Sequence, residues 1–509
     1  MTDPIQIAYL EWLIESRRAE LLGVLDARNY YNGVQQDFVP SAMTDILSRH
    51  KSVGNPFTLN VCETIVTALA NILNLTGFDT NETPDENGVK PLAVWANEVW
   101  KHNRMAAVQD IIHEGALSDR ESFIIVDWDK ESSMPRLVHN EVYIPYPGSG
   151  EGVFMVYEND DRFQKPLYAV KRWSVTDWNA REVVTNRVTI YYPDRIEKYK
   201  LDFGDAGMSE YREAGVPYPL PNVDSQGNPL GLPVIHFHNK GYRPEHWKAM
   251  TMQDGINRTL VDILYANDLV SKKSFFGFGF QPTTDGKPLK ADNSNSIKIG
   301  AGVLNSIPDK KPEEASLQEI EGADPRPMID ALINLITLTA QITDTPVSRF
   351  VMTAQVASAD TIKAQTEALD KKAEDRRELF GASWVQAMNM ARKYANVYGN
   401  AGLDESIEFI PVWKHEATLQ ELEQKKNSLG IPDEQIWAEA GYSPEQIAEM
   451  KNAQSYRIAQ EAALWQGAIS ATASIPLDEY LRRCGVSEEA ITQIQESINK
   501  QTAVPLTDL

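Results

Sequence analysis

Hydrophobic residues recur at three- and four-residue spacing in two stretches that flank a region of a different pattern. This spacing predicts one helix from Tyr242 to Lys273 and a second from Met328 to Gln341. Between them, Ser274 to Pro327 carries short apolar runs punctuated by Gly, Pro, Asn and Asp, which is typical of strands and turns. An irregular polar stretch from Thr343 to Ala357 follows, and then one long helix from about Ser358 to Tyr398. The pattern therefore predicts two helices separated by a strand-rich insert.

The first 241 residues carry both helical and strand patterns. Apolar spacing predicts helices at Tyr9–Asn29, Cys62–Leu75 and Leu92–Gly115. Apolar runs and alternation predict a buried strand at Ser122–Trp128 and an antiparallel arrangement of Leu167–Val175 with Arg187–Lys200, the latter broken by a turn at Tyr191–Asp194. Gly204 to Gly231 is rich in Gly, Pro, Asn and Asp and is predicted to be a loop. The fold class is therefore expected to be α+β.

The last hundred residues contain an internal repeat with a constant offset of 44 residues. The matching pairs are Ile431-Pro432 with Ile475-Pro476, Gly441 with Gly485, Ser443 with Ser487, Glu445 with Glu489 and Ile447 with Ile491. Each copy is predicted to be a helix, a turn and a second helix whose first turn is capped by the serine. Two helical hairpins bury little surface alone, so they are expected to stack on each other.

Length and composition limit the class of protein. A chain of 509 residues exceeds what one hydrophobic core usually serves, so two to four substructures are expected. No run of about 18 uninterrupted apolar residues occurs, and the start lacks the layout of a signal peptide, so no membrane segment is expected. Cys62 and Cys484 both lie in apolar helical patterns and are interpreted as buried thiols in a reducing compartment.

The charge balance bears on nucleic-acid binding. The chain has 49 basic and 72 acidic residues, a net charge of −23. Proteins that grip DNA through its phosphates supply Lys and Arg, so a sequence-specific DNA-binding function is disfavoured. Acidity is also common among soluble proteins, and solubility alone is an equally good explanation.

The sequence offers little catalytic chemistry. His236 and His238 lie on one face of a predicted strand, without a cysteine or carboxylate at metal-ligand spacing. His102 and His113 are eleven residues apart, which is not the spacing of a zinc protease, and no phosphate-binding Gly-rich motif ending in Lys-Ser/Thr occurs. No enzyme activity, metal or cofactor is therefore expected. A nucleic-acid-processing enzyme that depends on His236 or His238 stays open as a third hypothesis.

Several short motifs, in their order from Tyr30 to Tyr398, resemble the portal proteins of tailed bacteriophages, in particular the siphophage type. The matching segments are Tyr30-Tyr31-Asn32-Gly33, the apolar segment Asn60–Phe78 interpreted as a helix ending in Gly77, Leu232–Asn239, Met252–Asn257, Ile342–Pro346 and the small residues Val356–Ala359. Asp344 stands where the family usually has Gly. The order of these motifs, rather than any one of them, carries the resemblance.

The resemblance implies a portal-like architecture along the chain. Its expected parts are an α/β wing (1–241), a first stem helix (242–273), a clip (274–327), a second stem helix (328–342), a tunnel loop (343–357), a long wing or spine helix (358–412) and a helical crown containing the repeat (413–509).

The resemblance also implies the function and the partners. The protein is expected to form a homo-oligomeric ring, a dodecamer, at the capsid portal vertex of the virion after assembly in the host cytoplasm. Double-stranded DNA would pass through its channel during packaging and ejection, and an acidic wall suits such a conduit because it does not hold phosphates. Expected partners are the terminase large subunit, a head-tail adaptor, and the major capsid and scaffolding proteins. The alternative is a non-enzymatic structural capsid protein or a filament-forming assembly protein.

Candidate site residues follow from the same resemblance. Arg349 is expected to contact DNA from the tunnel loop, together with Lys363, Thr343 and Ser348. The clip phenylalanines, which would form its core and face the adaptor, are Phe275, Phe276, Phe278 and Phe280. On the long helix, the candidates for intersubunit salt bridges are Glu367, Lys371, Arg376 and Arg377. The alternative for this charged run is a solvated helix face with pairs such as Glu367 and Lys371 at i, i+4 spacing.

Overall fold

The computed structural model describes most of the first 414 residues. The described residues are 18–35, 58–86, 88–144, 150–177, 182–202, 209–270, 274–278, 283–284, 287–288, 304–307, 316–320, 324–350, 359–414, 436–437, 447, 482 and 491–492. The chain divides into two compact units, Met1–Trp413 and Lys414–Leu509. The helical repeat predicted for the second unit lies almost wholly outside the described residues, as do Phe280 and the Val356–Ser358 part of the small-residue run.

The first unit contains runs of helices and runs of strands, a mixed content that is consistent with the α+β class. The helices are α1 Arg18–Tyr31, α2 Val61–Ala70, α3 Pro91–His102, α4 Met105–Ser118, α5 Met250–Val270, α6 Arg326–Ile342 and α7 Ala359–Gly399. The strands are β1 Leu75–Thr80, β2 Glu121–Asp129, β3 Met134–Glu141, β4 Gly152–Tyr157, β5 Pro166–Asp177, β6 Glu182–Tyr191, β7 Arg195–Asp202, β8 Ser209–Glu210, β9 Leu220–Pro221, β10 Val234–His238, β11 Ser274–Phe278, β12 Thr283–Thr284, β13 Lys287–Pro288, β14 Leu304–Ile307, β15 Ser316–Ile320 and β16 Phe409–Trp413.

Two antiparallel sheets form the body of the unit. The larger sheet runs in the order β4-β5-β6-β7-β8, with β9 paired to β7, and the smaller in the order β10-β2-β3. The predicted antiparallel arrangement is correct, since Leu167–Val175 lies in β5, which pairs with β6. The second stretch turns through Tyr192–Asp194 into β7, and Tyr191 pairs with Ile196. The predicted buried strand is β2, whose first six residues are all buried because it lies at the centre of its sheet beneath helices.

The main core lies along one face of the long helix α7. Trp384 is fully buried and packs against Trp100 and Phe237 in edge-to-face contacts, with ring centroids 4.9 and 5.0 Å apart. His113 is also fully buried, stacks on Phe380 and accepts a hydrogen bond from Trp384 Nε1 at 3.0 Å. Burial lowers the pKa of His113 to about 3, so this imidazole is neutral in the folded chain.

Two helices predicted in the first 120 residues have different bounds. The predicted helix Cys62–Leu75, extended to Gly77 in the family resemblance, ends at Ala70, and Leu75–Thr80 is a strand paired with β16. The predicted helix Leu92–Gly115 is two helices that meet at Arg104, whose φ is +53°. In both places long-range partners override local pattern. Gln109 hydrogen bonds both backbone groups of Leu75, and Asn103 bridges to Leu137 N and Pro135 O.

The helix predicted to start at Tyr242 starts at Met250 instead. Pro244 forces the preceding Arg243 into an extended conformation, with φ −129° and ψ 145°, so a helix cannot run through it. The residues from 243 to 249 form an irregular connection that buries His246 completely. The second helix of the pair matches its prediction closely, since α6 covers Arg326–Ile342, and the two helices pack together through Ile256 and Ile336.

Strands occupy the insert between α5 and α6, as the pattern predicts. Strand β11 is central, with β14 parallel on one side and β15 antiparallel on the other. Phe275, Phe276 and Phe278 lie on β11. The segment 358–412 is not helical throughout, because α7 ends at Gly399 and Phe409–Trp413 pairs with β1.

His113 makes the stability of the fold depend on pH. The pKa of His113 is about 3 in the folded chain and near 6.5 in the unfolded chain. Below about pH 6.5 the unfolded chain therefore binds a proton at His113 and the folded chain does not, so the free energy of unfolding falls as the pH drops. Between pH 7 and 5 the free energy of unfolding should fall by about 2 kcal/mol more in the wild type than in His113→Phe. Denaturant titrations at both pH values measure this difference.

The exposed His102 supplies the control for this experiment. His102→Phe should retain the pH dependence of the wild type. Equal pH dependence in His113→Phe and the wild type would contradict the assignment of His113.

Candidate functional site at the end of helix α6

The best-defined candidate site is the segment that leaves the end of α6, which is the described part of the predicted tunnel loop. The amides of Thr343 and Thr345 donate to Thr339 O and Ala340 O at 3.2 and 3.0 Å, which closes the helix. The Thr343 hydroxyl donates to Thr339 O at 2.7 Å, and both threonines are buried. A short 3-10 turn, Val347–Arg349, comes next. Phe350 then packs against the core of α2 and α6, so both ends of segment 343–350 are anchored.

Asp344 adopts a backbone conformation that favours glycine. Its φ is +49°, in the left-handed region that favours Gly and admits Asp and Asn more readily than other residues. The exposed Asp344 side chain accommodates this turn without a contact to the core. Asp344 therefore turns the chain at the helix end in a conformation that glycine would also adopt.

Lys372 on α7 joins this helix end to a buried carboxylate. Its Nζ donates to Thr343 O at 2.5 Å and to Glu245 Oε1 at 2.7 Å. The last carbonyl groups of a helix have no partner within the helix and carry partial negative charge, so a cation here is favourable. The side chain of Lys372 is 20% exposed and that of Glu245 only 6%.

Glu245 binds a second cation, Arg376, from the next turn of α7. Arg376 Nη2 lies 2.8 Å from Glu245 Oε2, and its Nε donates to Asn239 Oδ1 at 2.6 Å. Burial by itself raises the pKa of Glu245, but the charges of Lys372 and Arg376 outweigh it and lower the pKa to about 2. Glu245 is therefore ionised at all ordinary pH values.

Asn239, the last residue of the Leu232–Asn239 motif, orients this cluster. Its Nδ2 donates to Arg243 O at 2.7 Å and to Glu245 Oε2 at 3.2 Å, and its Oδ1 accepts from Lys240 N as well as from Arg376. We call Asn239, Glu245, Lys372 and Arg376 the polar cluster. It ties the end of β10, the connection to α5, the end of α6 and the middle of α7 to one another.

The structure also brings together two other motifs of the sequence analysis. Tyr30 donates to the Asp254 carboxylate at 2.9 Å, which joins the Tyr30–Gly33 motif to the start of α5. Gln253 accepts from Val61 N at 2.8 Å, and Asn257 accepts from Leu59 N at 3.1 Å. Each motif therefore contributes polar side chains that fasten α5 to α1 and α2.

The predicted DNA-contacting residues lie in different environments. Ser348 and Arg349 are exposed on the 3-10 turn. Thr343 is buried, and its hydroxyl bonds within the chain, so it supports the helix end rather than presenting a group to a channel. The side chain of Lys363 lies outside the described residues. Contact with DNA stays a prediction for Ser348, Arg349 and Lys363.

The candidates for intersubunit salt bridges divide in the same way. Arg376 is buried and pairs with Glu245 of its own chain, because it lies on the inward face of α7. Arg377 donates to Ile72 O within the chain at 3.0 Å. Glu367 and Lys371 are both exposed and stay predictions.

Sequence reasoning missed Lys372, Glu245 and the role of Asn239. A signal existed, since Arg376 continues the apolar stripe of Leu369, Ala373 and Phe380 at three- and four-residue spacing. A cation on such a stripe requires a buried anion. The position of that anion, 131 residues earlier in the chain, could not be read from the pattern.

The described histidines and helices give no sign of a metal site or a membrane segment. His236 Nδ1 lies 2.6 Å from Tyr157 Oη, and its ring is 5.3 Å from that of His238. Within the part of the chain that the structure describes, no group of three or more His, Cys, Asp or Glu side chains is placed to hold a metal ion. Nor does any helix in that part have the length and apolarity needed to cross a bilayer.

The backbone at Asp344 generates a test of the helix end. Asp344→Val should lower the free energy of unfolding by about 1–2 kcal/mol, because a β-branched side chain clashes in the left-handed region. Asp344→Gly should stay within about 1 kcal/mol of the wild type, since Gly relieves the strain but makes the unfolded chain more flexible. Thermal unfolding measures both variants. Equal stability of the Val and Gly variants would contradict the positive φ.

Comparison with known proteins supports the resemblance seen in the motifs. No curated protein matches the chain significantly. A family model described as "Phage portal protein, SPP1 Gp6-like" matches residues 10–456, which include every described element of the first unit and the first copy of the repeat. Because this match covers most of the 509 residues, the chain belongs to the phage portal protein family of the SPP1 Gp6-like type.

Proposed function

We propose that this protein assembles into a closed dodecameric ring at one vertex of the capsid and forms the channel for double-stranded DNA during packaging and ejection. The observation that carries the proposal is the family match over residues 10–456. The family is a structural one, and the chain's own residues suggest no constellation for catalysis.

The exposed apolar side chains of α6 support assembly with neighbouring copies. They are Ile329 at 40%, Ile333 at 42%, Leu338 at 49% and Ile342 at 40% exposure. By helical spacing, the first two point to the opposite side of α6 from the last two. Two different apolar surfaces on one protomer fit a head-to-tail contact, which closes into a ring when the rotation between copies closes.

Charge supports a channel through which DNA slides. A net charge of −23 provides little attraction for phosphates overall, so a wall built from this chain would not hold the duplex at each step. Arg349 is exposed in the first half of the predicted tunnel loop and would give a weak local contact to the backbone of DNA.

The remaining parts of the proposal concern partners. The strand-rich insert from 274 to 327 would receive the head-tail adaptor and the terminase large subunit, with Phe275, Phe276 and Phe278 on its central strand. The major capsid and scaffolding proteins would contact the outer body during assembly in the host cytoplasm. Residues 414–509 would form the crown.

Electron-microscope imaging of the purified protein tests the ring. Class averages computed without imposed symmetry should show closed rings with a central hole wide enough for duplex DNA, and they give the subunit number directly. Open filaments at every salt concentration would favour the alternative of a filament-forming structural protein. Monomers alone would contradict self-assembly of the chain.

Substitution on α6 tests which surface forms the ring. Leu338→Asp with Ile342→Asp should abolish rings and leave monomers, because charged groups would be buried at the contact between copies. Light scattering after size-exclusion chromatography measures the mass. Phe163→Asp, at a side chain that is 88% exposed in a hairpin, is the matched control and should assemble normally. Rings formed by the double variant would exclude this face from the contact.

Reversal of the Arg349 charge tests the contact with DNA. Arg349→Glu should slow packaging and shorten the packaged genome, because a repulsive charge would meet the phosphates at the loop. Lys165→Glu, an equal charge change at an exposed position of the β4–β5 hairpin, should leave both unchanged. Gel analysis of virion DNA measures genome length, and an unchanged length and rate in Arg349→Glu would remove Arg349 from the channel.

A further inference from the structure

The end of α6 is held by a side chain from a different part of the fold. Lys372 Nζ donates to the carbonyl of Thr343, the residue that directly follows α6, at 2.5 Å and to the buried carboxylate of Glu245 at 2.7 Å. An ammonium group has three donors and no acceptor, so it can join two acceptors that would otherwise repel each other. Lys372 therefore fixes the distance between Thr343 O and Glu245.

Glu245 is itself fixed to the core. Its backbone amide donates to Leu117 O at the end of α4 at 2.8 Å, and its second carboxylate oxygen is held by Arg376. Leu369 and Ala373, which flank Lys372 on α7, are buried in the main core. Glu245 and the α7 backbone at Lys372 are thus both fixed in the core. Through Lys372 they fix the position of Thr343 relative to the body of the unit.

Segment 343–350 has few other constraints on its direction. The hydrogen bonds of Thr343 and Thr345 are all made within α6 or within the segment itself, so they would move with α6. Phe350 holds the far end by apolar packing, which is less directional than an ionic hydrogen bond. Lys372 is the directional contact in the described part of the chain that relates the segment to α7.

We propose that Lys372 is a positioning residue for DNA translocation. It sets the point and the direction in which the loop leaves α6, with Glu245 and Arg376 holding Lys372 in place. This inference rests on the proposed portal function, because only there does the loop face the channel. The polar cluster then determines the orientation of the loop toward DNA.

A merely stabilising ion pair would have different consequences. On the same helix, Asp375 pairs with Lys240 at 2.5 Å, but these side chains are 46% and 67% exposed. Such a surface pair contributes little and contacts no part of the loop. Lys240→Met therefore provides a matched control, since it also removes the charge of one lysine from an ion pair that involves α7.

The test compares Lys372→Met, Lys372→Arg and Lys240→Met in the full-length assembled protein. Methionine keeps the apolar stem of lysine and removes the ammonium, while Arg376 still compensates the charge of Glu245, so the fold is retained.

In Lys372→Met, amide hydrogen exchange at 343–350 should become about tenfold faster or more, because local opening of the segment costs less free energy. Exchange in the buried face of α7 around Trp384 should stay as in the wild type. Lys372→Arg should restore most of the protection, and Lys240→Met should match the wild type.

The second readout is the DNA packaged by virions assembled with each variant. Lys372→Met should give rings in normal yield but shorter or fewer packaged genomes, and Lys372→Arg should recover them. Exchange at 343–350 that stays close to the wild-type rate overturns the proposal. Faster exchange with normal packaging also overturns it, because the direction of the loop would then be immaterial. A loss of rings in parallel with packaging would reduce Lys372 to a structural role and overturn it as well.

Failure of the portal function would be recognised separately. If the wild-type protein itself forms no rings, the proposed function fails before any variant is compared. Hydrogen exchange of the wild type and variants in that unassembled form would then still decide whether Lys372 holds the end of α6.

Discussion

The structure of the first unit depends on the burial of one face of helix α7, which runs from Leu369 to Ala395 among the described side chains. No single neighbour is long enough to cover this face, so β2, β3, β10, β16 and α2 each cover part of it. Apolar burial stabilises a fold by about 25 cal/mol per Å², so each element that covers part of this face adds to the stability of the unit. Each of these elements takes its place in the fold from the part of α7 that it covers.

At the polar cluster, the buried face of α7 carries the charged side chains Lys372 and Arg376 in place of apolar ones. An unpaired buried charge costs several kcal/mol, so Arg376 and Glu245 are compatible with the core only as partners with their remaining hydrogen-bonding groups satisfied. Asn239 supplies a partner to both side chains, since its Oδ1 accepts from Arg376 Nε and its Nδ2 donates to Glu245 Oε2. Lys372 donates to Glu245 Oε1 and also to Thr343 O. The hydrogen bonds of such a cluster constrain the orientation of the groups they join, whereas apolar packing contributes mainly to stability. The cluster therefore lies where the fold holds a backbone segment in one position.

The sequence predicts the elements that bury a regular pattern and misses those determined at a distance. Strand β2, the β6–β7 hairpin, α6 and α7 follow the predictions to within a few residues, because each buries its own periodic face. The end of α2 at Ala70 does not, because Leu75 is drawn into a strand by β16, more than 330 residues away in sequence. At the site, the exposed loop residues were identified by motif order. The residues beneath them were not, because an ion pair between positions 245 and 372 leaves no local trace.

The placement of the insert has a consequence for how such proteins diversify. The segment between Val270 and Arg326 departs from α5 and returns to α6, and these two helices pack against each other. When the ends of an excursion are already held together, doubling its length costs only about 0.6 kcal/mol in chain entropy. The helix pair thus acts as a constant frame for a variable part. Evolution can lengthen, shorten or replace that part to suit a new partner, while the contacts that define the rest of the molecule stay unchanged.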